Sequence, residues 1–132
     1  MKPPGASAAQ PDQATTEEAM RFSGIVLPST AQVLGIEHNK GIDQIYKLAI
    51  AVDRDSIATL LENSDFTKPL QPGRRVFLAP VEGFGPITST DVASAQDRLE
   101  SADGKGPTVT RDILVDRGDL DRPVIHIWAY TT

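Results

Sequence analysis

The chain predicts an α+β fold: an antiparallel four-stranded sheet with two to three helices on one face, behind a flexible N-terminal tether. Three observations carry this. Two stretches, "AQVLGIEHNKGIDQIYKLAIAVD" and "TVTRDILVD…RPVIHIWAY", each read as a pair of strands. Stretches at 15–23, 53–64 and 89–101 carry helix-start signals or helical spacing. The first fourteen residues, "MKPPGASAAQPDQA", hold no large apolar side chain after Met1, too little to offset the entropy of ordering. Residues 1–14 are therefore expected to be a tether and 15–132 a single domain.

Composition agrees. Apolar residues are 39% of the chain, and the 10 glycines bring the total into the globular range. A chain this long buries about two thirds of its unfolded surface. The formal charge of −5 disfavours nucleic acid, which demands clustered Lys and Arg; the only adjacent basic pair is Arg74-Arg75. With no cysteine there are no disulfides, no thiolate chemistry and no cysteine zinc site. No membrane-spanning segment and no signal peptide are read in this chain. The tether fits either a frayed terminus or the spacer behind a processed or lipid-modified N-terminus.

The elements follow in order. Thr15 and Glu18 have capping-box spacing, and Gly24 supplies the stop. Pro28 enforces an extended turn. A hairpin is expected at Asn39-Lys40-Gly41. In the second strand Tyr46, Leu48, Ile50 and Val52 share one face, while Ile45, Lys47, Ala49 and Ala51 share the other; this reads as a sheet covered on one side. Asp53 is the candidate N-cap of a helix whose stripe is Ile57, Leu60 and Leu61. Residues 65–88, rich in Pro and Gly, read as a long connection with a short strand at 75–78. Ser89 or Thr90 then caps a third helix, with Val92, Ala95 and Leu99 in its stripe. The last two strands join through "RGDLD". "IAVDRDSI" and "ILVDRGDL" echo each other faintly, as two apolar strands leaving into Asp-Arg turns.

In the closing strand Ile125, Ile127 and Ala129 form the core set, which turns Val124, His126, Trp128 and Tyr130 away from the helices. Two placements are open. The rings form an aromatic docking patch, with Tyr46 alongside and Arg74 and Arg75 as rim charges. Alternatively the 65–88 connection covers them, which is the preferred placement because so long a segment must lie somewhere.

Catalytic signals are thin, and no cofactor is expected. His38 and His126 are the only near-neutral bases. Serines 23, 29, 56, 64, 89, 94 and 101 read as caps, turn residues or helix-surface residues, and none sits in a nucleophile elbow. Asp116, Asp119 and Asp121 cluster at one strand end, and Asp53 and Asp55 close another strand the same way, but without a calcium-loop pattern and with Arg117 and Arg122 beside the first group; no metal site is expected. Arg117-Gly118-Asp119 is an adhesion tripeptide that a hairpin tip also favours. "EGFGP" lacks the context of a phosphate loop.

The tether, the phrase "LPSTAQVLGIEHNKGIDQIYKLAIAV" and the closing "VDRGDLDRPVIHIW" resemble the mature part of small actinobacterial cell-envelope lipoproteins, over about residues 22–132. The resemblance implies anchoring at the outer face of the plasma membrane and a binding or regulatory role, such as contact with a membrane-associated stress sensor. It lends no catalytic residue, and the chain has no lipobox cysteine. The leading expectation is a non-enzymatic, monomeric extracytoplasmic domain acting by protein contact. The alternatives are a small hydrolase or ligand-binding domain using His126 and an Asp, and an immunity protein covering a basic toxin.

Overall fold

Six antiparallel strands make one sheet in the order β1-β2-β6-β5-β4-β3 in this computed structural model, which describes residues 13–40, 44–100, 104, 106, 108–118 and 122–131. The strands are β1 (Gln32–Lys40), β2 (Gln44–Ala51), β3 (Gln71–Pro72), β4 (Val92–Leu99), β5 (Val109–Asp116) and β6 (Val124–Thr131). There are two helices, α1 (Gln13–Ser23) and α2 (Ile57–Asn63), the latter led by a 3-10 turn at Arg54–Ser56. The expected four-stranded sheet with two to three helices is therefore wrong: the sheet has six strands, the two helices are short, and the protein is mostly β.

The principal error lies at 89–101. Val92, Ala95 and Leu99 fit a helical stripe, whereas in a strand Val92 lies on the opposite face from Ala95 and Leu99; both faces of the sheet are covered here, and strand pairing decides. β4 aligns with β5 along its whole length, from Val92↔Asp116 to Leu99↔Val109. Its small residues Ala93 and Ala95 are buried, and Asp97 meets Arg111 across the ladder. Ala, Gln, Asp and Arg are weak strand formers, so tertiary pairing overrode local propensity here. The short strand expected at 75–78 is absent; a two-residue strand forms earlier, at Gln71–Pro72.

Smaller corrections follow the same logic. α1 begins at Gln13, so Thr15 lies inside the helix and is not its cap. It does end at Gly24, whose φ of +68° is left-handed and whose N–H donates to the Met20 carbonyl at 2.8 Å. Asp53 is extended and makes no capping bond; its carboxylate takes Arg122 instead, at 2.9 Å. Asn39 and Lys40 of the expected turn are instead paired, with Ile45 and Gln44, and Gly41 lies outside the described residues. Residues 1–12 of the expected 1–14 tether also lie outside them, while Gln13 and Ala14 belong to α1 rather than to a tether.

The core lies between the sheet and the helices. Tyr46, Leu48, Ile50, Ile113, Val115, Ile125 and Ile127 meet Ala19, Ile25 and Leu60 there. Arg111 stands in this apolar layer, fully buried, and spends all five N–H groups. Nε and Nη2 clasp Asp97 at 2.8 and 2.6 Å, Nη1 reaches the carbonyls of Ser23 and Ser64 at 3.0 Å each, and Nη2 reaches that of Asp65 at 3.2 Å. One guanidinium thus ties both helix C-termini, rich in unpaired carbonyls, to the sheet. Among the described residues no helix is long and apolar enough to cross a membrane.

Candidate functional site

The opposite face of the sheet is also covered, contrary to the one-sided sheet expected from β2. Strand register explains how. Gly35, Ala49, His126, Leu114 and Ser94 lie side by side in one row from β1 to β4. Three of these five side chains are tiny, and this row forms a trough. The connection 73–91 is fixed at both ends of it. At the β4 end, Arg74 Nη1 donates to Ser94 Oγ at 2.9 Å, and that hydroxyl donates back to the Arg74 carbonyl at 2.7 Å. At the β1 end, Val81 and Phe84 approach Gly35 so closely that a Cβ there would stand 2.9 Å from each. The Glu82 N–H donates to Glu37 of β1 as well.

Trp128 anchors the middle. Its neighbours in the next row are Lys47 and Asp112. It is fully buried with Val92 and Leu114, beneath Val76 and Ile87, and its Nε1–H donates to the Ala79 carbonyl at 2.8 Å. An indole meets both its needs here, apolar enclosure and one acceptor. Arg75 closes the connection on itself, with Nη1 and Nη2 donating to the carbonyls of Ile87 and Ser89 at 2.9–3.0 Å.

The six residues read as a docking patch are thus dispersed. Trp128 and His126 are buried under the loop. Tyr46 lies on the helix side, packed on Phe22, stacked on His38 at 4.0 Å and hydrogen bonded to Glu18. Burial first, and that bond to Glu18 second, push the Tyr46 phenol up to about 12. Arg74 and Arg75 are half-buried in the loop base. Tyr130, also half-buried, lines an open cleft together with those two arginines.

The His–Asp pairing expected of a hydrolase is not formed. His126 is 3% exposed, and its Nδ1 has no hydrogen-bond partner. Burial lowers its pKa, against a smaller opposing influence of Asp116. His38 Nε2 lies 3.2 Å from Gln44 Oε1 and meets no carboxylate. Asp116 accepts the Gly118 N–H at 2.9 Å, Arg117 and Asp91 pair at 3.1 Å, and Asp119 and Asp121 lie outside the described residues. Among the described residues no three His, Asp or Glu side chains gather where they could hold a metal.

Two features escaped the sequence reading. The first is the loop's outward surface. Phe77 is 95% exposed, Leu78 is 38% exposed, and behind them a cleft of about 570 Å³ is lined by Val76, Pro80, Val81, Pro86 and Ile87. The second is a polar cluster in a neighbouring cleft of about 270 Å³, where Tyr130, Gln96 and Asp112 meet Arg74. Tyr130 donates to Asp112 Oδ2 at 2.8 Å, and Gln96 Nε2 lies 3.2 Å from both carboxylate oxygens. Burial, reinforced by Asp112, raises the Tyr130 phenol to about 12. Asp112 sits inside "TVTRDILVD", where two charges interrupt an apolar run; that interruption was the available signal. Comparison with protein-family models, with curated proteins and with solved structures finds no match to this chain.

Proposed function

We propose that this chain is a non-catalytic binding domain that works by protein–protein contact, docking through Phe77 and Leu78 of the loop laid across its sheet. The observation that carries this is the 95% exposure of Phe77 on a loop held from beneath by Ser94, Trp128 and Glu37. A large apolar side chain left in water beside an apolar cleft gains about 25 cal/mol for each Å² a partner covers. Because the loop is pinned, little ordering entropy opposes that gain. The partner is a membrane-associated protein, and the domain acts at the outer face of the plasma membrane. Support for that location is the Pro-, Ala- and Gln-rich composition of residues 1–14 and the resemblance to envelope lipoproteins. Attachment to the membrane through that segment would raise the local concentration of the docking loop, so a modest contact would suffice.

Site-specific photo-crosslinking in the cells of origin tests this. A benzophenone side chain replacing Phe77 is expected to yield a discrete adduct with one membrane-associated protein. The same probe at Glu62, exposed on α2, is expected to yield none. Loss of the Phe77 adduct on adding Leu78→Ser would support the loop as the docking surface. No adduct at position 77, or an equal one at 62, would overturn it.

A further inference from the structure

We infer that the cleft beneath Tyr130 is a binding site for a small zwitterion of the α-amino-acid type, its ammonium on Asp112 and its carboxylate on Arg74. This inference does not rest on the docking role of Phe77.

Asp112 lines the cleft at 3% exposure. Its two contacts, Tyr130 and Gln96, are both uncharged. The buried ion pair on the other face goes to Asp97, and among the described residues no Lys, Arg or His forms an ion pair with Asp112. A buried carboxylate without a counter-ion is costly, and it persists most readily where a cation completes it.

The opposite charge lines the same cleft. Arg74 uses Nη1 on Ser94, while its Nε and Nη2 donate to no partner among the described residues. Arg75 next to it differs, because both of its Nη groups are committed to loop carbonyls. The cleft therefore offers one carboxylate and one guanidinium that are not paired with each other. A simple cation meets the repulsion of two arginines, and a simple anion meets Asp112. A molecule carrying both charges satisfies both. At about 270 Å³ the space suits something smaller than a drug-sized ligand. Val76 and Leu78 supply an apolar wall, so a small aliphatic side chain is favoured.

The test is calorimetric and NMR titration of the intact chain with L-valine, N-acetylvaline and valinamide, each to ~10 mM, the weak end of specific binding. Valine is expected to bind and to shift the amides around Asp112. Each control lacks one charge and is expected to bind about tenfold or more weakly, the consequence of losing one charged hydrogen-bond partner. Asp112→Asn and Arg74→Gln are each expected to weaken valine similarly. Tyr130→Phe, which keeps the ring, is expected to weaken it less. Amide dispersion of each variant reports the fold, and should Arg74→Gln disturb it, Asp112→Asn alone decides. Valinamide binding as tightly as valine would make this a cation site, and N-acetylvaline doing so an anion site; either result overturns the inference. So does the absence of valine binding. Valine binding by a chain whose benzophenone at position 77 captures no partner, or capture of a partner by a chain that binds no valine, would separate the two proposals.

Discussion

Arg111 and Asp97 face each other across the β4–β5 ladder and close a two-pronged ion pair of 2.8 and 2.6 Å, with neither side chain more than 1% exposed. Asp97 also accepts the Thr67 N–H at 3.0 Å, so the pair gathers the segment after α2 as well as both helix ends. Asp97→Ala leaves a guanidinium buried with no counter-charge and is expected to cost about 3–5 kcal/mol. Urea unfolding measures this. A loss below about 1 kcal/mol would place the pair at a wet surface, where such bonds contribute little.

Trp128 gives an optical readout of the loop. Enclosed beneath residues 73–91, the only tryptophan should emit at short wavelength and resist acrylamide quenching in the native state. Trp128→Ala is expected to destabilise by about 3–5 kcal/mol, the usual cost of emptying a large aromatic site. A red-shifted, readily quenched native emission would mean the loop does not cover the ring.

Gly35 is the seat of the loop tip. Its backbone is not left-handed; what matters is space, since a Cβ would meet Val81 and Phe84 at 2.9 Å. Gly35→Val should push the tip off β1, raising protease cleavage within residues 80–85 and acrylamide access to Trp128. The sheet's circular dichroism should remain. Unchanged protection would show that the tip can shift without releasing the tryptophan.

Acid should weaken the fold through His126. Burial lowers its folded pKa below the unfolded value of 6.5. The unfolded chain then binds the proton more readily, so this contribution is intact above pH 6.5 and is lost as pH falls from there through the lowered folded value. His126→Leu is expected to flatten stability against pH in that window. An unchanged slope would assign the acid sensitivity to other groups.

Alkali acts through the two phenols. Tyr46 and Tyr130 are both raised from 10.0 to about 12 in the folded state. The unfolded chain therefore gives up these protons first, and stability falls as pH rises from 10 towards 12. Ultraviolet titration of tyrosinate should show both tyrosines ionising late in the native protein and normally in urea. Tyr130→Phe should remove one late step.

Strong period-2 patterns were legible without coordinates. β2 and β6 alternate so clearly that the face of every side chain from Tyr46 to Ala51 and from Val124 to Tyr130 follows from the pleat alone. The stop at Gly24 was legible too, because only a few residues tolerate positive φ. The β4 strand was not, because Val92, Ala95 and Leu99 follow the helical period, a strand covered on both faces need not alternate, and the arbiter, β5, is remote in sequence. Nor was the dispersal of Tyr46 and Trp128 to opposite faces of the sheet drawn out, although Tyr46 pairs with Ala129 and Lys47 with Trp128.

The sequence by itself determined the acidic, cysteine-free chain, the two hairpins and the direction in which each side chain of β2 and β6 points. These depend on composition and on local backbone geometry. The tertiary structure alone decided that 92–99 is a strand, that Arg111 is consumed by Asp97 and two helix ends, and that the loop expected over the rings is pinned to Trp128 through Ala79 while leaving Phe77 in water. Each of these depends on partners that meet only when distant segments pack, and a local pattern carries no record of them.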